Sequence, residues 1–362
     1  MADLQYQFGT VSAVAKPRGV LNRLADPRVL AVLAAYVAAI LAGRWAIVHW
    51  APDVMTIRLF GRALALGHLH ARLFDRALEA LVILPAVLFV EFLWVGWSRC
   101  SARDLMFRRT ASMWSDVACF AVSLTPLITV AMTVLSLGVV LISAASVKAW
   151  LTGATGLSLS LAGLPVLAQT GILFVVYSFF DYWSHRADHL EALWPLHRYH
   201  HAAESFTVLT AARTHPAVFT ALIASVGPGV LVSASPDALV QVNLFVIALR
   251  LLIHSRIESD FGWAGRWLVQ SPTHHRRHHS FEMSDRALHL GLIPLWDRLF
   301  GTWSERRPTD DRIGVDAPYR HGAWIAADMW RDYMDFWRGL GRLSRAAAGR
   351  FRQRLAIGQP GL

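Results

Sequence analysis

The chain has 362 residues; 55% are hydrophobic and only 17% charged, where a soluble domain carries about 25%. Its mean hydropathy is +0.39 and its formal net charge +10, but the cations lie beside apolar runs, where anionic headgroups meet them, which argues against nucleic acid as the partner. Two cysteines, Cys100 and Cys119, far from any Cys-x-x-Cys pattern, exclude a disulfide framework and a thiolate metal site.

Residues 1–28 form a basic segment, with Lys16, Arg18, Arg23 and Arg28 against Asp3 and Asp26, and lack the apolar core and small-residue cleavage site of a secretory leader. The first apolar run is Leu30–Val48, interrupted only by Arg44. Pro52–Ala80 carries Arg58, Arg62, Arg72 and Arg76 among Leu, Phe and Ala, the pattern expected of an amphipathic helix at the interface. Leu81–Trp97 is apolar except for Glu91, and the loop after it holds Arg99, Arg103, Arg108 and Arg109. Val117–Val147 and Leu157–Phe180 carry no charge; the first, at thirty-one residues, is long enough to be broken or tilted. Pro216–Val232 and Ala238–Ile253 form a last apolar pair, the second containing Arg250. A bilayer crossing needs about 20 apolar residues, and the helices of a soluble core would not need runs this long or this many. The tail Ala323–Leu355 interleaves Arg with Trp324, Trp330, Phe336, Trp337 and Phe351, as in a helix resting on the cytoplasmic leaflet.

Lys and Arg in the loops put both ends of the first pair of crossings in the cytoplasm. Counting onward, every histidine-rich segment emerges on that same side. The expected fold is therefore an all-α integral membrane protein, a transmembrane helical bundle with a His-rich metal cap on its cytoplasmic face. Its divisions are 1–28, a membrane region 29–171, a histidine-rich region 172–305 and a basic tail 306–362.

Twelve of the sixteen histidines fall between His185 and His289, most of them in three tight groups. These are His185-Arg-Ala-Asp-His189, His197-Arg-Tyr-His200-His201 and His275-Arg-Arg-His278-His279. Helical residues three or four apart share a face, with Cβ atoms about 5–6 Å apart. His185 and His189 can thus point at one place, as can His197, His200 and His201. On a strand a four-residue separation is roughly 13 Å, too far to share an ion. Imidazole is the commonest ligand of iron, zinc and copper, and this many imidazoles exceed what one ion accepts, so two metals are expected.

These three groups, in this order, resemble the fatty acid hydroxylase/sterol desaturase superfamily of integral-membrane di-iron oxygenases. Leu193-Trp194-Pro195-Leu196 before the second group, Arg213-Thr214-His215-Pro216, Ser271-Pro272 before the third and Trp296-Asp297-Arg298-Leu299-Phe300-Gly301-Thr302 add to the resemblance, which covers about Ile172 to Trp303. It implies a metal set of His185, His189, His197, His200, His201, His275, His278 and His279, joined by His254, which stands where the family has an isolated histidine. It also implies two iron ions, with zinc as a substitute, that use dioxygen to hydroxylate or desaturate a membrane lipid. No haem, flavin or iron–sulfur motif is visible, so electrons are expected from a separate donor protein, with Arg276 and Arg277 placed to attract either an acidic donor or lipid phosphates.

Other residues carry weaker readings. Glu258 is read as an acceptor or ion-pair partner rather than a ligand, His215 as a hydrogen-bonding residue and His274 as a bystander. Asp188, Glu204 and Asp285 are candidates for orienting ligand rings. Ala287-Leu288-His289-Leu290-Gly291 departs from the family's Asn-aromatic-Gly, and His289 either replaces that Asn or adds a ligand. His49, His68, His70 and His321 belong to no cluster. A zinc hydrolase would carry HExxH, which is absent; the competing reading is a metal transporter or a non-catalytic metal-binding membrane protein.

Overall fold

A chain segment surrounded by lipid must satisfy its own backbone polar groups, and a helix does so within the segment. The computed structural model describes residues 17–50, 52–59, 62–66, 70, 79–139, 144–156, 159–282, 287–305 and 312–357, and its architecture is all-α. α1 (Pro17–Leu24) leads into α2 (Pro27–Trp50), which at 24 residues is about 36 Å long. No residue of α2 is buried. A helix apolar on every side, with none of its residues buried in protein, finds its favourable environment in lipid tails.

The Pro52–Ala80 segment departs from expectation. It contains an antiparallel hairpin, β1 (Met55–Leu59) and β2 (Arg62–Leu66), with Met55 opposite Leu66 and Leu59 opposite Arg62. Thr56 and Arg58 alternate with Ile57 and Leu59, a period of two rather than 3.6. Arg72 and Arg76 lie outside the described residues. After a π-helical turn at Glu79–Ile83, α3 (Leu84–Val95) is too short to cross alone. Its Glu91 is fully buried, accepting from the Ser101 amide (2.7 Å), the Ser101 hydroxyl (2.8 Å) and the Arg256 amide (2.6 Å).

After α4 (Ser101–Phe107), the long Val117–Val147 run breaks. α5 (Ala111–Ser123) and α6 (Pro126–Leu135) meet at 94°, so together they form at most one bent span. Thr125 precedes Pro126, whose ring drives it out of the helical region, to φ −106°, ψ 157°. Next come α7 (Ala144–Thr155), β3 (Leu159–Ser160), α8 (Val166–Asp188) and α9 (Trp194–His201). The Pro216–Val232 run yields α10 (Ala221–Leu231), about 16 Å long, half a bilayer. β4 (Val232–Ser233) then pairs in parallel with β3, and α11 (Pro236–Ile253) starts behind its Ser235 cap. Three described helices, α2, α8 and α11, are long and apolar enough to cross a membrane, four counting the bent pair.

α8 and α11 face each other through Leu173, Val242, Val246, Leu249 and Ile253, with Leu292 closing the cluster. The short helices α12 (Gly262–Trp267), α13 (Pro272–His278) and α14 (Pro294–Leu299) sit at the α11 C-terminus. The predicted tail helix is α15 (Ile325–Ile357). Its Phe336 packs on Leu196 and Ala217, and Arg198 of α9 pairs with Asp332 and Asp335. The first half of the tail is thus part of the fold.

Candidate metal centre

Four helix ends meet at one end of the bundle. His185 occupies the last turn of α8, with His189 at its C-cap; α9 carries His197, His200 and His201; His254 caps α11; α13 carries His275 and His278, with His279 at its C-cap. The apolar stretches of α8 and α11 stop where their histidines begin, because an imidazole is costly in hydrocarbon and useful at its edge. Pro195 and Pro272 each sit in the first helical turn, where a missing N–H costs nothing, and so fix where α9 and α13 start.

The nine predicted histidines form two nests. His185, His189, His197, His201 and His278 make the first; His200, His254, His275 and His279 make the second. Within each, one ring nitrogen per residue lies within 4.8 Å of all the others. The second group therefore does not point at one place, as its spacing suggested. His197 and His201, four apart, stay together, while His200 turns to the other nest. The third group is the mirror case: His275 and His279 stay together and His278 crosses over. The nests touch where His201 stacks on His279 at 4.3 Å.

The geometry suits a metal ion. The Nε2 atoms of His254 and His275 are 2.9 Å apart, those of His275 and His279 3.2 Å, and those of His254 and His200 3.4 Å. Two imidazoles bound to one ion at about 2.1 Å each stand about 3.0–3.4 Å apart. Burial, reinforced by neighbouring imidazoles, pushes His197, His200, His201, His275, His278 and His279 well below their ordinary pKa. Burial likewise pushes His254 down to about 3. The rings are neutral, the form that binds metal. Buried Nε2 atoms of His197, His201 and His278 have no hydrogen-bond partner among the described residues. Each would cost about 1–3 kcal/mol if nothing met it.

The opposite nitrogens are held. His185 Nδ1 donates to the Leu290 carbonyl (2.8 Å), His278 Nδ1 to the Leu288 carbonyl (2.9 Å) and His254 Nδ1 to the Arg250 carbonyl (2.7 Å). Such bonds set the tautomer and aim Nε2 inward. Two of the three acceptors lie in the short loop 288–291, which Asp297 fastens. Its carboxylate accepts from the amides of Leu290 (2.7 Å) and Gly291 (3.0 Å) and from the Thr302 hydroxyl (2.7 Å). Burial pushes this carboxyl up to about 7, and those three donors pull against the rise. Nothing in residue type marked the carbonyl acceptors; for Asp297, its place in the closing signature was the available signal.

The carboxylates expected to orient the rings do less. Asp188 Oδ2 is 3.9 Å from His197 Nδ1, and its Oδ1 accepts from Thr220 (2.6 Å). Glu204 pairs with His321 at 3.6 Å, away from the nests. Asp285 lies outside the described residues, as does His68. Glu258 pairs with Arg99 (3.7 Å) and joins neither nest. His215 bridges two backbone groups, the Met329 carbonyl (2.9 Å) and the Ala217 amide (2.9 Å). His274 contacts the Ser271 hydroxyl (2.8 Å). His289 also stands outside both nests, packed on His274 and Trp303, with φ +56°. Asn and His enter this left-handed region more readily than most residues, so the residue type at 289 suits its backbone, and His289 adds no ligand to either nest. Arg277 is buried and donates to Ser304, and Arg276 donates to the Ser255 carbonyl, so neither is the open attractant that was expected. His49 rests on Trp45 and His70 lies beside Asp53.

Below the nests, a cavity of about 700 Å³ runs between α8, α10 and α11. His185, His197, His200, His254 and His275 form one wall, so both nests open on it. Leu173, Val242, Val246 and Leu239 line the part toward the middle of the bundle.

Fold and site together define an integral membrane protein with paired polyhistidine nests at the edge of its apolar helices. Residues 170–302 match the fatty acid hydroxylase family, so the chain carries a fatty acid hydroxylase domain over the segment that holds every nest histidine. A curated relative is alkylglycerol monooxygenase of Danio rerio, 31% identical over 137 residues, covering 36% of this chain. The match spans 29% of that relative's length. No solved structure matches the chain.

Proposed function

We propose that this protein is a membrane lipid hydroxylase, an oxidoreductase whose two nests hold two iron ions at the mouth of a lipid cavity. The observation that carries this reading is the convergence of nine imidazoles into two adjoining nests that share one largely apolar cavity. Iron, when bound, supplies the redox chemistry for activating dioxygen, which side chains alone cannot provide. Zinc on the same ligands would supply no redox chemistry and is expected to inhibit.

The protein's own residues do the positioning. The carbonyls of Leu288, Leu290 and Arg250 hold three rings by Nδ1, and the cavity wall of Leu173, Val242 and Val246 shields a hydrocarbon chain from water. Placing one oxygen atom of dioxygen in a C–H bond leaves the other as water and takes two electrons and two protons. A separate donor protein supplies those electrons, and the Lys/Arg pattern of the loops favours the cytoplasmic face for its docking. The family match and the name of the relative both favour hydroxylation over desaturation.

The test is a lipid extract from cells with and without the protein, compared by mass. A gain of one oxygen is expected, and His200→Ala should abolish it together with bound iron. Loss of two hydrogens would turn the reading to desaturation. An unchanged lipid profile with altered metal uptake would overturn it in favour of transport.

A further inference from the structure

Arg250 is the charged residue inside the apolar run of α11, one turn before His254. A cation in a membrane-spanning segment is expensive and is retained where it has a partner and a task. Its partners are on α8: Nη2 donates to the Tyr177 hydroxyl (3.2 Å) and to Asp181. Tyr177, Asp181 and His185 follow at four-residue intervals, so they form one stripe of α8 running down from the first nest. Among the described residues, Arg250 Nε and Nη1 have no acceptor. The side chain keeps 47% of its surface accessible although it stands between two packed helices, and that surface opens on the cavity.

Order along the cavity then matters. The nests come first, the Arg250 guanidinium lies about 6 Å deeper by helical rise, and hydrocarbon walls follow. A lipid with its apolar tail in the deep end would bring an oxygen atom of the same molecule against the spare guanidinium N–H groups. The carbons within a few bonds of that oxygen would then be the ones presented to the histidines. The charge count narrows the oxygen's chemistry. Asp181 already balances Arg250. An incoming carboxylate would bring a second anion to a cation that Asp181 already balances, whereas a neutral acceptor meets no such repulsion.

We infer that Arg250, held by Asp181 and Tyr177, is the residue that determines substrate choice, gripping a neutral hydroxyl or ether oxygen so that oxidation falls on carbons close to it. This rests on the hydroxylase reading, but its test needs no turnover. Tritiated 1-hexadecanol is bound to the purified, metal-loaded protein in detergent and displaced by unlabelled 1-hexadecanol, hexadecyl methyl ether, hexadecane or hexadecanoate. The alcohol and the ether should compete about tenfold or more better than hexadecane and hexadecanoate, the worth of a hydrogen bond to a charged donor. Arg250→Leu should erase that preference while leaving hexadecane binding and metal content unchanged, and Arg250→Lys should restore part of it. Asp181→Asn should shift the preference toward hexadecanoate. A preference for the alcohol that survives in Arg250→Leu overturns the assignment, as does wild-type protein that favours hexadecanoate or does not distinguish alcohol from alkane. A preference that tracks Arg250 in a protein that oxidises no lipid would leave this inference standing and remove the hydroxylase reading. Lipid oxidation with an Arg250-independent preference would do the reverse.

Discussion

An imidazole binds metal well only when its far nitrogen is already spoken for. Here the Leu288 and Leu290 carbonyls do that for His278 and His185, and Asp297 fixes the loop that carries them. Asp297→Asn keeps the size of the side chain but replaces one acceptor oxygen with an NH2 donor facing N–H groups. Metal affinity should fall about 10–100-fold with the helical content preserved, as read by metal titration alongside circular dichroism. Undiminished affinity would remove Asp297 from the site. The motif histidines were legible because their three- and four-residue spacings are the mark of a helical face. Their division between nests was not, since neighbours such as His200 and His201 differ by only about 100° around the helix and either can be drawn elsewhere by a facing group. The carbonyl acceptors left no trace, because every residue has one.

At the scale of helices, the side of the cavity depends on how closely α8 and α10 approach. A Cβ on Gly227 would stand 2.3 Å from Phe180 Cδ1, so only glycine lets the Phe180 ring lie flat against α10. Gly227→Val should destabilise the protein by about 1–3 kcal/mol through overpacking, and trimming the ring with Phe180→Leu should recover part of the loss; thermal unfolding of both variants in detergent measures it. Full stability of Gly227→Val alone would refute this close contact. Hydropathy revealed where the apolar segments are but not how many cross. The Thr125-Pro126 step broke one run, and Pro228 sits inside another whose helix proved too short. The Pro52–Ala80 segment was misread because its arginines were weighed by helical period, although residues 56–59 alternate by two.

For the whole molecule, pH should act through the nests. Unfolded, each histidine takes a proton near its ordinary value of 6.5, whereas folded His254 stays neutral down to about 3. Between those limits the unfolded chain binds more protons, so stability falls as the pH is lowered from about 6.5 toward 3, and is retained above 6.5. Each such ring contributes a slope of about 1.4 kcal/mol per pH unit. Metal binding adds to the same trend, since protons compete for the ligands. Thermal unfolding and bound iron, followed from pH 8 down to pH 5, should decline together below about 6.5; a flat profile would contradict neutral, buried rings.

Because His200 and His201 are consecutive, as are His278 and His279, yet each pair is split between the nests, a single peptide unit twice joins one nest to the other. Any tilt of α9 or α13 that re-aims a ring in one nest also moves a ring in its neighbour. If each nest holds an ion as proposed, loading and loss of the two would be mechanically yoked, and a half-filled centre would hold its remaining ion in a distorted setting.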